Sequence, residues 1–214
     1  GKTVFFEAFS KLFKVTTESK YSSSSLNVFQ SNGGFNSEEL AEKANFVLTS
    51  IGLRDKFSQF VIVSGHLAQS ENNPFQSSLD CGACGGNGGI PNSIAFCQAL
   101  NDHKVRAILE TKYKILIPRS TFFVSASHNT TTDEFNYYNL ELMNEIQKSY
   151  FDDIANDIRK AGELLRIERL TELKGSRGVN MRKSNWAELI PEMSLANNAA
   201  FIIGPRKIIT NLNI

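Results

Sequence analysis

Phe60-Val61-Ile62-Val63 runs directly into Ser64-Gly65-His66. A short, continuous, largely β-branched apolar run with no polar alternation reads as a strand covered on both faces, the kind found inside parallel sheets. The Ser-Gly-His end places His66 just past the carboxyl end of a central strand. Upstream, Asn36-Ser37-Glu38-Glu39 has the spacing of a capping box, with Asn36 and Glu39 as its two ends. Leu40, Ala44, Val47, Leu48 and Ile51 form the buried stripe of that helix, and Gly52 is its stop. Downstream, Pro91 suits the first turn of a helix carrying Ile94, Cys97, Ala99 and Leu100. A second helical stretch covers 102–111. Ile115-Leu116-Ile117-Pro118 and Thr121-Phe122-Phe123-Val124-Ser125 are two further strand candidates, the latter leading to Ser127-His128-Asn129-Thr130-Thr131-Thr132-Asp133. Leu140, Met143, Ile146, Phe151, Ile154, Ile158, Ala161 and Leu165 recur at a helical period over 139–173. That helix would be ~50 Å long unless Gly162 breaks it.

Strands separated by helices predict an α/β fold, with a mixed or mostly parallel sheet flanked by helices. Ligands of such sheets sit beyond the carboxyl ends of strands, where His66 and His128 both fall. With 214 residues the chain has the length of one domain. We divide it into an irregular or helical N-terminal extension (1–36), a core with a Gly-rich cysteine loop (37–138), and a long helix with a C-terminal strand region (139–214). The extension carries Val4-Phe5-Phe6, Phe9, Leu12 and Phe13 at helical spacing, then a Ser22–Ser25 run and Asn32-Gly33-Gly34 as loop. The final region holds Ala200-Phe201-Ile202-Ile203, another strand-like run. The chain opens on Gly-Lys-Thr without a visible signal peptide and reads as a piece of something longer.

Composition excludes several classes. Hydrophobic residues at 41% and charged ones at 21% describe a globular chain able to bury a core. Twenty-three basic against twenty-two acidic residues give +1, so net charge offers no case for nucleic acid. Three cysteines do not make a disulfide framework, which favours a reducing compartment. No apolar run approaches the ~20 residues of a spanning helix.

The chemistry concentrates between Glu71 and Asn92, a loop longer than compact domains use without a function. At its heart stands Asp80-Cys81-Gly82-Ala83-Cys84-Gly85-Gly86. It matches neither a phosphate loop nor a dinucleotide fingerprint. A Cys-x-x-Cys pair can serve thiol redox chemistry or bind metal, and an inert small-residue loop is the third reading. His66, emerging from a strand end just before the loop, favours metal, because imidazole and thiolate are zinc's preferred donors. Cys97 could complete a three-cysteine, one-histidine set, but a lone helix cysteine more often packs as a small hydrophobe. The redox reading lacks the expected Trp before its first cysteine. His128 is a candidate for orienting a ligand or carrying a proton, or alternatively the His-Asn-Thr-Thr-Thr-Asp string only caps the next element. His103 reads as plain surface, and the basic residues Lys174, Arg177, Arg182 and Lys183 as a solvated face or, alternatively, a contact for anionic lipid or a partner subunit.

Ser64-Gly65-His66, Glu71-Asn72-Asn73-Pro74, Leu79 through Gly86 and His128 through Asp133 together resemble the A subunits of DAB-type inorganic-carbon transporters, the DabA family. Asn185-Trp186-Ala187-Glu188, Pro191-Glu192 and Asn197 through Arg206 resemble the family's later segment. The match runs in order from about residue 33 to 206. The resemblance implies a β-carbonic-anhydrase-like fold, incomplete here, and a zinc ion (Zn2+) held by Cys, Asp, His and Cys. His66 and Cys81 fall on the second pair of those ligands. It further implies an antiporter-like proton-translocating membrane partner of the DabB type, a peripheral place on the cytoplasmic face of the membrane, and CO2 with bicarbonate as substrate and product. Zinc suits that reaction because it lowers the pKa of water bound to it towards 7. The family's first ligand pair lies in a Cys-x-Asp-x-Arg stretch, and this chain has none; its cysteines are 81, 84 and 97. Half a zinc site predicts that this piece alone is not a competent hydratase. The rival readings are a non-catalytic scaffold piece and a thioredoxin-like redox protein.

Overall fold

A computed structural model of the protein describes residues 34–67 and 88–172. The first helix, α1 (Ser37–Ser50), opens as the capping box requires. Asn36 Oδ1 accepts from the Glu39 N–H at 2.9 Å, and the Glu39 carboxylate accepts from the Asn36 N–H at 2.9 Å. Gly52 follows the helix with φ +74, the left-handed conformation glycine adopts without strain. The buried face is Leu40, Ala41, Ala44 and Leu48. Val47 lies half-buried. Ile51, expected in that stripe, is exposed, because the helix has ended before it and it serves as the C-cap.

Strand β1 (Phe60–Leu67) pairs in parallel with β2 (Phe122–Asn129), and β2 pairs antiparallel with β3 (Glu134–Tyr138). The described sheet is therefore mixed, three-stranded and ordered β1-β2-β3. This α/β architecture bears out the fold class. Among the described residues β2 is central and β1 is an edge strand, only half-buried along most of its length. A continuous apolar run cannot distinguish an edge from a centre, because that depends on a neighbour supplied elsewhere in the chain.

Between the parallel strands lie α2 (Ile90–Asn101) and α3 (His103–Tyr113). Pro91 occupies the first turn of α2, where its missing N–H costs nothing. Asp102 caps α3, its carboxylate accepting from the Lys104 and Val105 N–H groups. The Arg106 guanidinium donates to the carbonyls of Leu100, Pro118 and Thr121, tying the α2–α3 corner to the turn that feeds β2. Residues 115–118 do not form the expected strand. Ile115 and Ile117 are buried and Leu116 exposed, an alternation met without any sheet ladder.

The two faces of the sheet have separate cores. Odd positions of β1 (Val61, Val63) and Phe123 of β2 pack with α1, α2 and α3 around Leu48, Leu100 and Leu109. The opposite parity (Phe60, Ile62, Phe122, Val124) packs with Met143 and Phe151. That second face is covered by α4 (Glu145–Glu172), which follows a short 3-10 turn at Leu140–Leu142. At 28 residues α4 is ~42 Å long. It runs through Gly162 without a break. Ile146 and Ala161, expected on its buried stripe, are exposed. Val4–Phe13, residues 174–183 and Ala200–Ile203 lie outside the described residues.

Candidate metal centre

His66 sits inside β1, one residue before its end, rather than beyond it. The parallel ladder sets His66 directly against His128. Strand side chains alternate between faces, so both histidines project on the α4 side, in line with Phe60, Ile62, Phe122 and Val124. The antiparallel register adds Phe135 to the row, opposite His128. Proximity in this row is a product of register, across sixty residues of sequence.

The His66 side chain has a buried Nε2 with no hydrogen-bond partner. Such an atom costs roughly 1–3 kcal/mol unless something pairs with it. Its backbone is tied to the other end of the cysteine loop. The Gly89 N–H donates to the His66 carbonyl at 2.7 Å. A Cβ on Gly65 would come within 2.5 Å of the Gly89 carbonyl oxygen, so only a glycine lets these backbones meet. Leu67 and Gly88, the described residues on either side of 68–87, thus both lie beside His66. Cys81 and Cys84 lie on that loop and outside the described residues.

His128 is held from two sides. Its Nε2 lies 3.0 Å from Asp133 Oδ1, and the Asp133 side chain is only 1% exposed. Its ring stacks on Phe135, centroids 4.7 Å apart. The His-Asn-Thr-Thr-Thr-Asp string forms the turn that joins β2 to β3. Asn129 Oδ1 accepts from the Thr131 N–H and so caps the turn, while the aspartate reaches back to the imidazole. Sequence reading did not pair His128 with Asp133; a His followed five positions later by Asp, across a polar turn, was the available signal.

Cys97 is not part of this site. It is fully buried in the apolar cluster on the opposite face, beside Leu100 and Phe123, and burial pushes its thiol pKa well up. It behaves as a small hydrophobe, which rules it out as a third sulfur donor to an ion at His66. We therefore expect Cys97 to resist alkylation in the native protein at pH 8 and to react at the rate of a free thiol in urea; rapid native labelling would contradict this burial. His103 is exposed at the start of α3, as read from the sequence.

Between β3 and α4 runs a cavity of about 560 Å³ whose walls include Phe135, Tyr137, Ile158 and Arg166. The Tyr137 hydroxyl there is buried without a partner, and desolvation raises its pKa. Among the described residues no three His, Cys, Asp or Glu side chains cluster tightly enough to hold a metal. On this face the donor without a partner is the His66 imidazole, a residue type that can ligate zinc.

The family model described as "Probable inorganic carbon transporter subunit DabA" matches residues 3–214. The chain belongs to the DabA family. A DabA of Aquifex aeolicus is 39% identical over 190 residues, covering 85% of this chain and 19% of that protein. DabA1 of Halothiobacillus neapolitanus is 36% identical over 192 residues, covering 85% of this chain and 18% of that protein. A Legionella pneumophila DabA is 36% identical over 193 residues, covering 88% and 25%. The chain thus spans about a fifth to a quarter of the curated DabA proteins it matches. No solved structure matches it. No helix among the described residues is long and apolar enough to cross a membrane.

Proposed function

We propose that this DabA chain is part of a zinc-dependent, carbonic-anhydrase-like subunit for energy-coupled CO2 hydration and bicarbonate accumulation. In this reading His66 and Cys81 supply two of four zinc donors, and the other two come from a part of the protein not present in this chain. The observation that carries it is the unpartnered His66 Nε2, buried where the cysteine loop both begins and ends. Cys81 belongs to the segment that joins these two points, fifteen positions after His66. When bound, zinc supplies a Lewis acid that lowers the pKa of water. The chain's own contribution is to hold His66 by the β1–β2 ladder and to anchor both loop ends. The subunit works peripherally on the cytoplasmic face of the membrane with a DabB-type proton-translocating partner.

Metal analysis of the intact protein alongside this 214-residue chain tests the reading. The intact protein is expected to hold one zinc per subunit. The chain alone is expected to bind zinc weakly and to give no CO2 hydration above buffer. Substantial turnover by the chain alone would overturn the half-site. Cys81 labelling separates the rival readings: zinc protects it here, leaves it untouched in a scaffold, and is irrelevant to reversible Cys81–Cys84 disulfide cycling in a redox protein.

A further inference from the structure

The turn after β2 is built with more constraint than a cap requires. The Thr130 N–H and hydroxyl both donate to the Leu67 carbonyl, at 2.7 and 3.2 Å, which fastens the turn to β1 one residue beyond His66. Thr132 and Asp133 both donate their N–H groups to the Asn129 carbonyl. Asp133 itself has φ +55, a left-handed conformation that a non-glycine residue adopts at some cost. From the other side α4 presses on the same turn. Arg166 Nη1 donates to the Thr132 carbonyl at 2.7 Å, and a Cβ on Gly162 would lie 2.6 Å from the Asp133 carbonyl oxygen. Gly162 is therefore a close-approach residue, which explains why an exposed-looking helix keeps a poor helix former at that position.

These backbone contacts fix the turn from which the Asp133 carboxylate reaches His128. An ionised carboxylate only accepts hydrogen bonds, so the neutral imidazole must carry its proton on Nε2 to satisfy the 3.0 Å contact. Its Nδ1 is then a lone-pair acceptor. Phe135 stacks on one face of the ring. We propose that Asp133, in a turn that Gly162 approaches at the Asp133 carbonyl and Arg166 holds at the Thr132 carbonyl, is a positioning residue. It fixes His128 as the Nε2–H tautomer and presents Nδ1, beside His66, as an acceptor for a ligand bearing a hydroxyl group. For the identity of that ligand, hydrogencarbonate, the inference rests on the function proposed above; for the tautomer it rests on geometry alone.

The chain has three histidines, so nitrogen NMR of the 15N-histidine-labelled, metal-free protein resolves each ring. His128 is expected to be protonated on Nε2, with that proton exchanging roughly tenfold or more slowly than on exposed His103. Asp133→Asn, which keeps a residue tolerant of positive φ, is expected to abolish the protection while near-UV circular dichroism stays native. A His128 protonated on Nδ1, exchange as fast as in His103, or an unchanged Asp133→Asn spectrum would each overturn the positioning role. Added hydrogencarbonate, but not chloride, is expected to shift the His128 Nδ1 resonance. If neither shifts it, the ligand assignment fails while the tautomer stands, so this failure is distinct from a failure of the zinc reading.

Discussion

His66→Ala in the intact protein is expected to weaken zinc binding by more than the ~10–100-fold that removal of an outer-sphere partner typically costs. The reason is that His66 offers a donor with no other occupation: its Nε2 is buried and unpartnered. The same substitution is expected to leave folding stability unchanged or slightly raised, because it deletes a buried polar atom that nothing satisfies. That opposition of signs separates a ligand from a structural residue. A structural histidine would lose stability and keep its metal. Competition against a chromophoric chelator reads the affinity, and urea unfolding reads the stability, with exposed His103→Ala as the control. Wild-type affinity in His66→Ala removes the zinc proposal.

Gly65→Ala is expected to be the most destabilising single-methyl change near the site. The added carbon would stand 2.5 Å from the Gly89 carbonyl oxygen and 3.0 Å from its Cα, which are backbone atoms with no rotamer to yield. Overpacking of this kind costs roughly 1–3 kcal/mol and sometimes more. Relief requires parting β1 from the start of α2, which strains the Gly89–His66 hydrogen bond and the packing of α2 on the sheet. We expect a loss at or above the top of that range, read as a fall of roughly 5–10 °C in Tm. Zinc binding falls with it, since the loop ends no longer meet at His66. A variant as stable as the parent would show that the close approach is not needed.

The parts of this fold legible in the sequence are those governed by neighbours along the chain. The Asn36–Glu39 box, the Gly52 stop, Pro91 in a first turn and the β-branched run at 60–63 each act within a few residues, and each stands where it was read. Misreadings came where local pattern had two tertiary outcomes. Ile115 and Ile117 are buried like strand residues, yet no partner strand meets them. Gly162 looked like a helix break and is instead a point of contact with the turn at Asp133. The family was legible from the cysteine–glycine string and its flanking motifs, and the match over residues 3–214 bears it out.

Taken alone, the chain's residues determined the α/β class, the helix ends, the family and the two histidines as the imidazoles to watch, since these follow from periodicity, capping and motif order. Which histidine is free and which is bound was decided only by tertiary structure. Strand register brings His66 and His128 side by side, Asp133 in a left-handed conformation reaches back to one of them, and the other is left with a buried, unpartnered Nε2. Sequence spacing carries no information on register between distant strands, because that is set by the packing of both sheet faces at once.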